Sequence, residues 1–414
     1  MLTAGPPVDA DVPGSPPVPA EEGGREADPG TLLRLILQSP WHPESLDEAR
    51  ALAARSSLDA DVLLETARHG GLSPLLYHRA AGLDLMPAAV EAELEQDYYR
   101  SVRANILLFD GLQEALHQLK ACGVPVIVLK GGALALTVYA NMGLRPMADV
   151  DLLVPPESVG RALRALTALG YEGGPPLESG DAVDVGAIHS NQLLLRRPDG
   201  AARGSCLEIH WQLFWFPYYQ QVMPAEWFWQ TRRPLTVGTA ETDMLGPEGQ
   251  LLHLCAHLIH HHGTEGPFRP LWLYDVAAVI GHYGERIDWD ELLVRAEAYR
   301  VVLCLQRVVT RVHEAWRPPI PAEVLERLQG MRPSNEERRA LRWLTETSGE
   351  MTRYALASLA ALPDWPSRIR FLWSELLFPS AAFMRERYGI RHRVLVPVYY
   401  PYRWLMGLWG ALRR

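Results

Sequence analysis

Cysteine, long apolar runs and positive charge are all scarce in this sequence, and each shortage excludes a class of protein. Only four cysteines occur in 414 residues (Cys122, Cys206, Cys255 and Cys304), dozens of positions apart and never as Cys-x-x-Cys. That spacing excludes a disulfide framework and a thiolate zinc site, and four buried, free thiols are expected. No stretch reaches the ~18 consecutive apolar residues of a spanning helix. Residues 1–30 are acidic and proline-rich instead of basic then apolar, which is not the pattern of a secretory signal. The expected location is the cytoplasm. Forty basic against 49 acidic residues leave a net charge of −9, and the first 29 residues, with six acids and one arginine, supply −5 of it. Such a balance excludes a global nucleic-acid-binding surface, so no nucleic-acid partner is expected. The other end of the chain is opposite in sign: residues 381–414 hold seven arginines and one acid.

What the sequence does have is a globular balance, 48% hydrophobic and 21% charged, over a length that suits about two or three domains. Residues 1–29 have little to bury and read as a disordered acidic tail rich in proline and glycine. From 30 to 122 apolar residues recur at helical spacing, as in Leu32, Leu33, Ile36 and later Leu112, Leu116, Leu119. The period then changes. Val124 to Leu129 is a short β-rich run, Gly131 and Gly132 break it, Ala133 to Ala140 reads as helix, and Ala148 to Val154 is a second strand. Pro156 to Gly170 is an amphipathic helix. Ile188 to Arg196 and Cys206 to Phe214 form a hairpin around Pro198-Asp199-Gly200. This mixed region spans 123–240, a helical domain follows over 241–380, and a basic aromatic segment closes the chain at 381–414.

The chemistry concentrates between Val126 and Val154. Lys130-Gly131-Gly132 follows a buried-type strand, and Asp149-Val150-Asp151 sits inside another. Side chains alternate along a strand, so the two aspartates share one face while Val150 turns to the core. Paired carboxylates repel unless a cation lies between them, which makes them a candidate magnesium site. Glu208, between Leu207 and Ile209, has the same alternation and completes a triad, with His210 on its face. Three carboxylates holding magnesium could bridge a triphosphate, and bare glycine amides at a helix start could approach its phosphates.

The arrangement resembles the nucleotidyltransferase superfamily typified by DNA polymerase beta: a strand-end glycine pair, a helix, paired strand acids, then a third acid. More narrowly, "VIVLKGGALALTVYANMGLRPMADVDLLV" and "LEIHWQL" resemble an uncharacterised bacterial nucleotidyltransferase family, over about residues 100–300. The resemblance implies an α+β protein, with a small mixed β-sheet core, N-terminal helices and a C-terminal all-helical domain. It implies magnesium-dependent transfer of a nucleoside monophosphate from an NTP to a small-molecule, sugar or peptide acceptor, with release of pyrophosphate. Asp149, Asp151 and Glu208 would be catalytic metal ligands for Mg2+ or Mn2+, and ATP the donor. Gly131 and Gly132 would form the phosphate loop, with Lys130 and Arg145 as phosphate contacts. One departure matters: the glycine pair precedes the first acid by 17 residues, longer than the compact motif.

Other residues keep two readings. His210 is a base, a partner of the ligands or a structural histidine. His253, His257 and His260 fall at i, i+4 and i+7 of one helix face, spacing that could hold zinc or iron in a metal-dependent hydrolase; the first two are otherwise expected to line the cleft. Asp275, among Trp272, Tyr274 and Val276 and with Arg269 nearby in sequence, has an acceptor-binding or base role, or is half of a buried ion pair, or is a simple helix-face charge. A non-catalytic nucleotide-binding module is the remaining alternative. The C-terminal segment mixes Tyr399, Tyr402, Trp404 and Leu405 with arginines, so it packs back on the helices or rests as a peripheral contact on an anionic membrane.

Overall fold

The computed structural model describes residues 28–55, 59–173, 191–198, 205–214, 216–262, 268–346, 359, 365–379, 381–390 and 392–412. The expected disordered tail lies outside them except for its last two residues. Those two belong to a helix start: the Asp28 carboxylate accepts from the Gly30 amide and Pro29 occupies the first turn of α1, Pro29–Gln38.

Four more helices complete the N-terminal layer: α2 (Ser45–Arg55), α3 (Ala60–Gly70), α4 (Ser73–Ala80) and the 34-residue α5 (Ala88–Ala121). Their ends follow the local chemistry. In α3, Asp59 caps the amides of Asp61 and Val62, and Gly71 closes the helix in the left-handed region. Next come β1 (Ile127–Val128), α6 (Lys130–Leu136), β2 (Val150–Leu153) and α7 (Val159–Ala168). The hairpin exists as expected, with β3 (Gln192–Arg196) antiparallel to β4 (Cys206–His210); Ile188 and the Asp199-Gly200 turn lie outside the described residues. After α8 (Pro217–Val222) and α9 (Glu226–Gln230), a second hairpin follows, formed by β5 (Arg233–Val237) and β6 (Ala240–Met244). The rest is helical: α10 (Pro247–His262), α11 (Pro270–Tyr283), α12 (Trp289–Ala298), α13 (Val302–Trp316), α14 (Ala322–Gly330) and α15 (Asn335–Glu346).

The six strands form one mixed sheet in the order β3-β4-β2-β1-β6-β5. β1 pairs antiparallel with β2 and parallel with β6, and β2 pairs parallel with β4. Alternation sorts the faces. Val128, Val150, Leu152, Leu207 and Ile209 share a core with α5 and α7, through residues such as Leu112, Leu116, Leu163 and Leu166. Ile127, Leu129 and Leu153 belong instead to a larger core built on the N- and C-terminal helices. Asp151, Glu208 and His210 therefore emerge on this second face, on the side of α10 and α11.

One expectation needs correction. All four cysteines are free, but only Cys255 and Cys304 are buried; Cys122 is exposed because it caps α5 where the chain turns into a loop. The region near the C-terminus has its own small core of Met384, Ile390 and Val396. Among the described residues, no helix is long and apolar enough to cross a membrane.

Candidate active site

Register between β2 and β4 creates the site. Asp151 stands directly opposite Glu208, and Leu153 opposite His210, so two parallel strands bring their polar side chains to one patch. His210 Nε2 lies 2.9 Å from Asp151 Oδ1 and 3.2 Å from Glu208 Oε2. Lys130 Nζ donates to the same Asp151 oxygen at 2.8 Å. Gln192, whose register partner is His210, donates Nε2 to Glu208 Oε1 at 2.6 Å. Sequence reasoning missed Gln192, because the length of the connection in its hairpin hides the register.

Charge is finely divided here. Burial pushes the Asp149 carboxyl up, and the neighbouring charges of Asp151 and Glu208 push it further, to about 6. Burial acts on Asp151 in the same direction, but the Lys130 ammonium and the His210 hydrogen bond outweigh it and hold that carboxylate well below the usual range. His210 is buried, which alone would lower its pKa; hydrogen bonds to Asp151 and Glu208 reverse the sign and raise it. Donor atoms of Asp151, Glu208 and His210 all lie within 4.8 Å of one another, an oxygen-rich set that fits a divalent ion.

The Lys130-Gly131-Gly132 segment is the first turn of α6, three residues earlier than the helix expected at Ala133, and no side chain caps it. Lys130 enters it with φ +44°, a left-handed conformation that costs a non-glycine residue roughly 1 kcal/mol. Close packing explains the glycines. A Cβ on Gly132 would stand 2.7 Å from Val150 Cγ1 and 2.9 Å from Val128 Cγ1, and one on Gly131 would collide with the Arg145 guanidinium.

Arg145 is not directed at the acids. Its Nη2 and Nε donate to the Asp275 carboxylate at 2.8 and 3.0 Å, the Tyr139 hydroxyl donates to the same group at 2.8 Å, and Arg145 and Asp275 are both buried. Asp275 is thus no exposed helix-face charge: it is half of a buried ion pair, whose arginine is Arg145 and not the sequence-near Arg269. Asn105 holds the loop from α5, donating to the carbonyls of Met142 and Arg145 at 2.5 and 2.8 Å.

The histidine helix forms no metal site among the described residues. Instead, the rings of His253 and His260 both meet the Phe214 ring edge-on, at centroid distances of 5.7 and 4.9 Å. His260 stacks further on Tyr219, at 3.9 Å. His253 does reach the site's border, lining with Lys130 and Gln250 a cavity of about 10 Å³, room for one water. His257 is half-buried, 6.0 Å from His253 ring to ring.

A mixed sheet carrying opposed acids on adjacent strands, with a lysine-glycine-glycine turn beside them, defines a nucleotidyltransferase core. In agreement, residues 56–317 match the family described as uncharacterised nucleotidyltransferase, and the chain belongs to that family. Among solved structures, it is similar to the crystal structure of an antigenic nucleotidyltransferase-like protein from Paracoccidioides brasiliensis. The identity is 15%, the TM-score 0.32, and the match covers 53% of this chain and 92% of that one. No curated protein matches the chain.

Proposed function

We propose that the protein transfers a nucleoside monophosphate from an NTP, with ATP as donor, to a small-molecule, sugar or peptide acceptor. The observation that carries this reading is the register of Asp151 against Glu208, with Asp149 two residues upstream and Lys130 on the same oxygen. Asp149, Asp151 and Glu208 are the residues that would hold Mg2+ or Mn2+. Such an ion, when bound, neutralises the triphosphate and stabilises charge on the departing pyrophosphate. The chain's own residues do the rest. The uncapped first turn of α6 presents the amides of Gly131 and Gly132 to phosphate oxygens, and the Lys130 ammonium adds positive charge beside them. An acceptor oxygen forms a bond to the α-phosphorus as the α–β bridging P–O bond breaks. Its proton passes to Glu208, and pyrophosphate leaves with the bridging oxygen. Rate comes mainly from position and charge neutralisation.

The test is a thermal shift with each of the four nucleoside triphosphates, with and without magnesium, on wild type and Asp149→Asn. Magnesium-dependent stabilisation by one triphosphate, lost in the variant, is the expected result; at a ligand concentration of about 100 Kd it amounts to ~2.7 kcal/mol. No shift with any triphosphate refutes the reading. Stabilisation with no pyrophosphate released toward any acceptor tried favours the non-catalytic module.

We further propose that the C-terminal segment rests on an anionic membrane surface. Among the described residues, eleven of the fifteen exposed large hydrophobic side chains fall between Trp365 and Met406. On the helix Val396–Leu412, Val396 turns into the small local core, whereas Val398, Tyr402 and Leu405 recur at i, i+4 and i+7 and are exposed. That helix contains no acid, and arginines flank it. The full chain should co-sediment with anionic but not zwitterionic vesicles, and truncation before Arg391 should abolish it; unchanged vesicle binding after truncation refutes the assignment.

A further inference from the structure

Besides the acids, the patch contains an imidazole to which the proposed reaction assigns no task. His210 is 2% exposed, and its Nε2 points between Asp151 and Glu208. Its other nitrogen, Nδ1, is buried and meets no hydrogen-bond partner among the described residues. A purely structural buried histidine is expected to satisfy both nitrogens. Among the described residues no hydrogen bond holds the ring from behind, and its polar contacts are the two carboxylates.

The spacing is informative. Ligand atoms at adjacent corners of an octahedron with ~2.1 Å bonds stand about 3 Å apart. His210 Nε2 is 2.9 Å from Asp151 Oδ1 and 3.2 Å from Glu208 Oε2, the separation of adjacent corners for each of those two pairs, and donor atoms of all three residues lie within 4.8 Å of one another. Lys130 bonds the same Asp151 oxygen, which places its ammonium in competition with an ion there and makes it the side chain that must swing away. Asp149 is not among the three residues whose ligand atoms converge.

We infer that His210 is a direct metal ligand and that Asp151, Glu208 and His210 form a mixed nitrogen-oxygen site selective for a first-row transition ion of the Mn2+ type over Mg2+. Magnesium favours oxygen donors and retains its waters, whereas an imidazole nitrogen shifts preference along the first-row series. The inference rests on the nucleotidyltransferase reading for the ion's purpose, though not for its existence.

The experiment uses the full chain without nucleotide. Mn2+ is added and pulsed electron paramagnetic resonance reads the coupling of the ion to directly bound 14N, while calorimetry measures Mn2+ and Mg2+ affinities. Wild type should show the nitrogen coupling; His210→Asn should lose it and bind Mn2+ at least ~10-fold more weakly, with Mg2+ affinity changed less than ~3-fold. If His210→Asn does not fold, Glu208→Gln substitutes for it: the nitrogen coupling should persist while affinity falls. Bound Mn2+ without nitrogen coupling, coupling that survives His210→Asn, or no Mn2+ binding at millimolar concentration each overturns the inference. The outcomes separate the two readings: oxygen-only Mn2+ with NTP turnover refutes the ligand and spares the transferase, whereas nitrogen-bound Mn2+ without any NTP binding does the reverse.

Discussion

The Arg145–Asp275 pair offers the sharpest test of how the site is held. Asp275 comes from α11 and is 1% exposed; Arg145 precedes β2, is 8% exposed, and its guanidinium fills the space left by the missing side chain of Gly131. Asp275→Asn keeps the shape and removes the charge, leaving a buried guanidinium uncompensated. Breaking a buried pair in this way costs ~3–5 kcal/mol. At ~2 °C per kcal/mol for a chain of this size, the melting temperature should fall by ~6–10 °C. Arg145→Met should cost a similar amount by stranding the carboxylate. Joining it to Asp275→Leu should recover much of the loss, because an apolar pair of similar volume needs no counter-charge. A double-mutant cycle by denaturant unfolding measures this, with an expected coupling of at least ~2 kcal/mol. The single variants should also weaken NTP binding, since Gly131 and Lys130 lose their support. A cost below ~1 kcal/mol for Asp275→Asn, or additive single effects, would refute the clasp.

Two further outcomes follow from the same geometry. Asp149, pushed up to about 6, keeps its proton in the folded state while the unfolded carboxylate ionises near pH 4, so stability from this group is present below pH 4 and lost as pH rises through about 6. In chelator, wild-type stability should decline over that window by on the order of 3 kcal/mol relative to Asp149→Asn, and superimposable pH profiles would contradict the assignment. Gly132→Ala should destabilise by ~1–3 kcal/mol through overpacking against Val128 and Val150, measured as a lower melting temperature; a neutral effect would mean those strands yield easily.

Much of the site was legible from alternation. Asp151 alternates with Val150 and Leu152, and Glu208 and His210 alternate with Leu207 and Ile209, so two-residue periodicity places these side chains on one sheet face; Asp149 was expected inside the same strand, but β2 begins at Val150. The hairpin followed from the Pro198-Asp199-Gly200 signal in the sequence between two apolar runs. β5 and β6 were not legible: Arg233–Val237 and Ala240–Met244 carry arginine, aspartate, glutamate and threonine, and they are strands because β6 pairs with β1. Their Gly238, with φ +58°, was the available signal.

The sequence by itself determined local matters, which residues alternate and which residues punctuate the helices, because backbone geometry and nearby side chains decide those; that Gly131 and Gly132 admit no side chain came from Arg145, Val128 and Val150 packed against them. Only the tertiary structure decided which charge answers which. Arg145 lies six residues before Asp151 in the chain yet its guanidinium meets Asp275, while His210, 59 residues away, meets Asp151. The three helix histidines share a face by spacing, but Phe214, brought in from another segment, meets two of their rings edge-on. A buried charge is defined by what stands within a few ångströms of it, and that neighbour comes from strand register and helix packing, which link residues remote in sequence.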